Sequence, residues 1–215
     1  GYVVIGVMLA FTGLYYSANC LVYGTSDFST VLYSTTLVML FLLPALTMRS
    51  FADERRNKTD QLLLTSPVSL TGIVLGKYLA MVTVLLVPIL LICFCPLIIA
   101  MNGSATLTAD YAAILAFFCM GCVYIAVGMF VSALTESQII AAGTFAALLV
   151  LYLWTDLVSF LPDSLAQLLS SFDFQGVLDN FAYYSVFDLG GLLLYLSMAA
   201  VFVFLTVQVL QRRKG

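Results

Sequence analysis

Three groups of residues in this chain have types and spacings capable of chemistry. Gly72-Ile-Val-Leu-Gly76-Lys77-Tyr78 imitates a phosphate-binding loop, but three residues lie between its glycines where four are needed, and Tyr78 stands where a Ser or Thr must ligate magnesium. It also leads straight into an apolar run, so Lys77 reads as a snorkelling membrane anchor and not as a nucleotide ligand. Cys93 and Cys95, with the i,i+3 pair Cys119 and Cys122, have the softness to hold copper(I) or zinc. The chain has no His to help, and all five cysteines, Cys20 included, sit in apolar stretches where free Cys serves as a small hydrophobe. No metal site is therefore assigned.

The third group is the charged segment 49–71, the one place where a specific task is legible. Asp53 and Glu54 come early in it, Glu54 and Lys58 form an i,i+4 pair, and Arg55 and Arg56 lie between them. Leu62, Leu63 and Leu64 then precede Thr65, Ser66 and Pro67, and Pro67 ends the helix that the earlier residues favour. A charged helix tipped by Leu and a Ser-Pro turn is suited to a groove in a soluble partner. The same residues also suit an amphipathic loop lying on the anionic inner leaflet, to which Arg49, Arg55, Arg56 and Lys58 would be drawn. Local physics leaves both open.

The elements that must position these groups are membrane helices. With 63% apolar and 9% charged residues, the chain has too little polar surface to clothe a soluble globule. Apolar runs at 3–23, 30–48, 77–100, 111–134, 139–160 and 189–210 each approach the ~20 residues needed to cross a bilayer, which predicts six spans. Pro88 and Pro96 are expected to kink the third. The turn at Thr135, Glu136 and Ser137 is short enough to make spans four and five an antiparallel pair. Residues 161–187 read as two short amphipathic pieces separated by Gly176, lying in the outer interface or re-entering from it.

Threaded this way, all eight Lys and Arg fall on one side: Arg49, Arg55, Arg56, Lys58, Lys77, Arg212, Arg213 and Lys214. The opposite loops carry Asp27, Asp110, Asp163, Asp173, Asp179 and Asp188. The positive-inside bias puts both termini in the cytoplasm and 102–110 in an outer loop. The acidic balance argues against nucleic acid. A secondary transporter needs ionisable groups at mid-membrane, and an intramembrane hydrolase needs paired catalytic groups; neither pattern is found.

The run from Leu46 to Arg56, then Thr59-Asp-Gln-Leu-Leu-Leu-Thr-Ser-Pro-Val-Ser69 and Gly76-Lys77-Tyr78, resembles permease subunits of the ABC-2 transporter class. Within the class it is most similar to the gliding-motility-type branch and to the permease of nitrous oxide reductase maturation. Leu134 to Ala142, Phe172 to Leu178 and the basic C-terminus extend the likeness, while Lys58 stands where the family usually has Gly. The resemblance implies an all-α integral membrane protein with six transmembrane helices, the ABC-2 (type V exporter-like) permease fold, and short re-entrant or outer-interface helices between spans five and six. It implies a permease subunit that couples ATP hydrolysis by a separate ATPase to export, and that binds no cofactor itself, since ATP and magnesium sit in the partner. The contact would fall on Glu54, Arg55, Arg56, Thr59, Leu62, Leu63, Ser66, Pro67, Thr135 and Glu136. Implied partners are two copies of the ABC ATPase, a second permease copy or close homologue, the lipid bilayer, and in some assemblies an auxiliary membrane-anchored subunit with an extracytoplasmic domain. The location implied is the inner or plasma membrane of a prokaryote, with an amphipathic elbow helix expected before Gly1. A machine that moves or assembles an extracytoplasmic apparatus without transport is the alternative.

Overall fold

A computed structural model describes residues 1–22, 28–56, 70–102, 107–134, 140–159, 173–182, 184 and 187–214. Among the described residues the fold is helical, with no strand. α1 (Tyr2–Tyr16) widens into a π-helical turn over Ser17–Val22, where Ser17 Oγ donates to the Leu14 carbonyl at 3.0 Å and Asn19 Nδ2 to the Tyr15 carbonyl at 2.9 Å. Such side-chain bonds compete with the regular ladder. α2 spans Phe28–Arg56, α3 Leu70–Ile92, α4 Phe94–Asn102 and α5 Leu107–Leu134. α6 (Ile140–Tyr152), α7 (Trp154–Ser159), α8 (Phe174–Ala182) and α9 (Leu189–Lys214) complete the bundle.

Among the described residues, five helical stretches are long and apolar enough to cross a membrane: Tyr2–Cys20, Phe28–Thr47, Leu70–Met101, Leu107–Leu134 and Leu189–Arg212. The expected fifth span, 139–160, is interrupted at Leu153, leaving Ala142–Tyr152 as a shorter apolar helix. The backbone bonds Leu153 N to Leu149 O and Leu157 N to Leu153 O, both 2.9 Å, carry the helical ladder past the interruption.

α5 is the hub. It packs against α2, α3, α4, α6, α8 and α9, and 72% of its most apolar window is buried against 17% for α1. A helix apolar all round needs neighbours on every side, and α5 has them. Small residues let those neighbours approach. At Gly121 a Cβ would lie 2.5 Å from Leu85 of α3 and 2.6 Å from Met39 of α2, and at Gly128 it would lie 2.9 Å from both Cβ and Cγ2 of Thr47. These contacts lock α2 and α3 onto α5 with backbone-to-side-chain closeness that only glycine permits.

Pro88 and Pro96 behave differently from each other. Pro88 lies inside continuous α3, so no break occurs there. The interruption falls at Cys93, one turn before Pro96, which then occupies the first turn of α4 where its missing N–H costs nothing. Neighbouring helices supply hydroxyls to this irregular stretch: Tyr111 of α5 donates to the Cys93 carbonyl at 3.2 Å, and Tyr16 of α1 to the Cys95 carbonyl at 3.4 Å. In an apolar solvent such interhelical partners make a broken helix tolerable.

Candidate functional site

The charged segment singled out by its composition is bracketed by two long helices. α2 does not stop at Met48 but continues to Arg56, about 43 Å in all and so longer than a ~30 Å hydrocarbon core. The backbone at Asp53, Glu54, Arg55 and Arg56 is therefore helical. α3 starts at Leu70, so Lys77 stands about 10 Å along it and half-buried, and not at its foot. Thr59, Leu62, Leu63, Ser66, Pro67, Thr135 and Glu136 lie outside the described residues, as do the helix end expected at Pro67 and the turn 135–137.

What the sequence did not reveal is how α2 and α3 reach the core. Tyr78, just past the basic anchor, donates its hydroxyl to the Cys122 carbonyl of α5 at 3.3 Å. About two helical turns further along α3, Leu85 meets Gly121, and on α2 Met39 and Thr47 meet Gly121 and Gly128. Thr35 Oγ1 of α2 lies 3.4 Å from Thr12 Oγ1 of α1, a close polar approach between the first two helices. The only sequence signal for these contacts was the presence of Thr and Gly within apolar runs.

Five of the buried threonine hydroxyls face their own backbone. Thr12 donates to Met8 O (2.7 Å), Thr35 to Val31 O (2.8 Å), Thr36 to Leu32 O (3.0 Å), Thr47 to Leu43 O (2.9 Å) and Thr206 to Phe202 O (2.8 Å). Satisfied this way, they do not line a polar path through the single chain. The thiols are similarly embedded: Cys119 and Cys122 are buried on α5, and among the described residues no three His, Cys, Asp or Glu side chains form a group that could hold a metal ion.

The far end of the bundle is closed by α8. Phe174, Val177, Leu178 and Phe181, spaced i, i+3, i+4 and i+7, form its buried face. Tyr195 of α9 donates to the Phe174 carbonyl and stacks on its ring at 6.0 Å, and Ser29 of α2 donates to the Ala182 carbonyl. Gly176 does not separate two pieces as its composition led one to expect. It lies in the first turn of α8, donating its N–H to Asp173 Oδ1 at 2.9 Å in an N-terminal cap. Asp188 caps α9 in the same way through Gly191 N–H at 3.0 Å, while its Oδ2 accepts from Asn180 of α8 at 3.2 Å. Asp110, expected in an outer loop, is buried in the first turn of α5, where the helix dipole favours a carboxylate.

Comparison with curated proteins and with solved structures returns no match. The family model described as ABC-2 family transporter protein matches residues 25–214, which takes in every helix from α2 to α9. A helical bundle with several apolar helices of membrane-crossing length is thus joined by a match over most of the chain, and the protein belongs to the ABC-2 transporter permease family, as a membrane component of an ABC transporter.

Proposed function

We propose that this chain is the membrane half of an ATP-driven ABC-2 exporter, and that segment 49–71 is the coupling element seated on a separate ATPase subunit. The observation that supports this most is the continuity of α2 to Arg56 and of α3 from Leu70, with both helices gripping α5 at Gly121. Motion imposed on the ends of two such helices would be passed to the bundle. Closure of the ATPase pair would push on Glu54, Arg55, Arg56, Thr59, Leu62, Leu63, Ser66 and Pro67, with Thr135 and Glu136 of the second inner turn beside them. The displacement would pass along α2 and α3 as rigid-body motion.

In this reading the chain has no nucleotide site of its own, because its only glycine-lysine run has the wrong spacing. It works as a dimer with two ATPase copies in a prokaryotic inner membrane, with both termini cytoplasmic, in the gliding-motility-type branch. α6 and α7 together form the fifth of six crossings, since 140–159 measures about 30 Å at helical rise. α8 is then an outer-interface or re-entrant helix.

The test is association and coupling. Glu54→Lys or Leu63→Asp should weaken recovery of the ATPase in a pull-down or abolish stimulation of its hydrolysis, because each removes a charged or apolar anchor from a small interface. Normal recovery and normal stimulation with both variants would show that the segment lies on the membrane instead. Hydrolysis of ATP by the purified chain alone would refute the division of labour.

A further inference from the structure

The stretch Leu70–Met101 is made of two helical bodies joined at Cys93, and the proposed function leaves that joint unused. Pro96 has no N–H to offer the Ile92 carbonyl, so the helical ladder lacks a rung between α3 and α4. Helices bend sharply where a proline removes such a bond. On one side of the joint α3 is fixed: Leu85, Ile89 and Ile92 are buried, and Leu85 seats on Gly121. On the other side α4 is more loosely held. Its Pro96 and Ile99 are buried, while Phe94 is 61% and Met101 86% exposed.

Other helices supply what sets the angle between the two bodies. The Tyr111 hydroxyl of α5 donates to the Cys93 carbonyl at 3.2 Å, and the Tyr16 hydroxyl of α1 to the Cys95 carbonyl at 3.4 Å, one on each side of Phe94. Tyr16 is the last residue of α1 before the π-helical turn Ser17–Val22, so an irregular stretch of α1 meets the irregular stretch between α3 and α4. Such π-turns are frequent at functional sites. In hydrocarbon, carbonyls at a helix break need donors from neighbouring helices, and the arrangement that provides them is favoured over others. Two hydroxyls from two different helices thereby select one tilt of α4.

We propose that residues 93–96 are a hinge about which α4 changes its angle to α3, and that the Tyr16 and Tyr111 hydroxyls are the latch that holds the present angle. With the latch released, α4 swings while α3 keeps its grip on α5. The hinge does not depend on segment 49–71 docking an ATPase, so either can fail alone.

The swing can be read by double electron–electron resonance on the full chain, one chain per nanodisc. Because the chain carries five cysteines, the spin labels are attached through a ketone-bearing amino acid. The exposed positions Phe11 of α1 and Met101 of α4 form the reporting pair, and Phe11 with exposed Leu79 of α3 forms a pair that does not cross the hinge. Wild type should give one narrow distance between Phe11 and Met101. Tyr16→Phe combined with Tyr111→Phe should raise the population at other distances about tenfold, with part of the effect from each single change, and should leave the distance from Phe11 to Leu79 narrow. Adding Pro96→Ala to the double variant restores the N–H facing Ile92 and should return a single narrow distance; adding Pro88→Ala should not. A broad distribution in wild type, no change in the double variant, or equal broadening from Phe11 to Leu79 would each overturn the hinge and its latch. So would broadening that survives Pro96→Ala, or equal rescue by Pro88→Ala.

Discussion

At Gly128 a single methyl group decides whether α2 can sit on α5, because the added Cβ would overlap Thr47. Gly128→Ala should therefore destabilise the protein by about 1–3 kcal/mol, the usual range for overpacking a close contact. Thr47→Ala in the same chain should restore part of the loss by removing Oγ1 and Cγ2. Gly6→Ala is the matched control: nothing lies within 4 Å of its Cβ position, so relief of backbone entropy should leave stability unchanged or up to about 1 kcal/mol higher. Thermal unfolding in detergent reads all three. At Asp179, burial pushes the carboxyl above its ordinary value. A carboxyl whose pKa is higher folded than unfolded contributes its full stability at low pH and loses it as pH rises through the raised value. Asp179→Asn should consequently raise the melting temperature at neutral pH and leave it unchanged under acid conditions. A variant that melts earlier than wild type at neutral pH would show that the carboxylate is already compensated.

At the scale of elements, two features decide behaviour: the unbroken run of α2 past the membrane and the docking of α8. If α2 works as a lever, a Gly-Gly-Ser insertion between Met48 and Arg49 should leave ATPase recovery in a pull-down intact yet abolish most stimulation of hydrolysis. The insertion keeps the docking residues and removes only the rigid connection. Retention of full stimulation would mean that α3 alone carries the motion. For α8, Tyr195→Phe removes the hydroxyl from the Phe174 carbonyl and should cost about 0.5–1.5 kcal/mol, localised to that helix. Hydrogen exchange should report it as faster exchange in 174–182 with α5 unaffected, because α2, α3, α4, α6 and α9 also pack on α5.

For the whole molecule, the distribution of charge sets the orientation. A cysteine introduced at Tyr184, which is 71% exposed, should react with a membrane-impermeant maleimide from outside sealed cells. One introduced at Lys58 should react only after the membrane is opened. Labelling at position 58 in intact cells would invert the topology, and would move α8 to the cytoplasmic face. The large apolar side chains exposed on α1, α3, α4 and α9, among them Phe11, Leu79, Phe94 and Phe204, fit a bundle whose outer surface meets lipid.

Composition, hydropathy and the one-sided Lys and Arg determined by themselves that the chain is a multi-pass helical membrane protein, because a bilayer imposes length and apolarity on each crossing segment with little regard to its neighbours. The motif from Glu54 to Ser69 likewise pointed to the ABC-2 family, which the family match establishes. Local signals failed where neighbours decide. Pro88 and Pro96 look alike in sequence, yet only the stretch before Pro96 breaks, where Tyr111 and Tyr16 lie at hand to receive the distorted carbonyls. Gly176 resembles a separator and is instead the first-turn residue that Asp173 caps. Asp110 resembles a loop residue and is buried at a helix start. The bond from Tyr195 to the Phe174 carbonyl, and the seating of Thr47 on Gly128, join residues far apart in the chain. No periodicity records such contacts; only the packing of α2, α3, α8 and α9 around α5 brings them together.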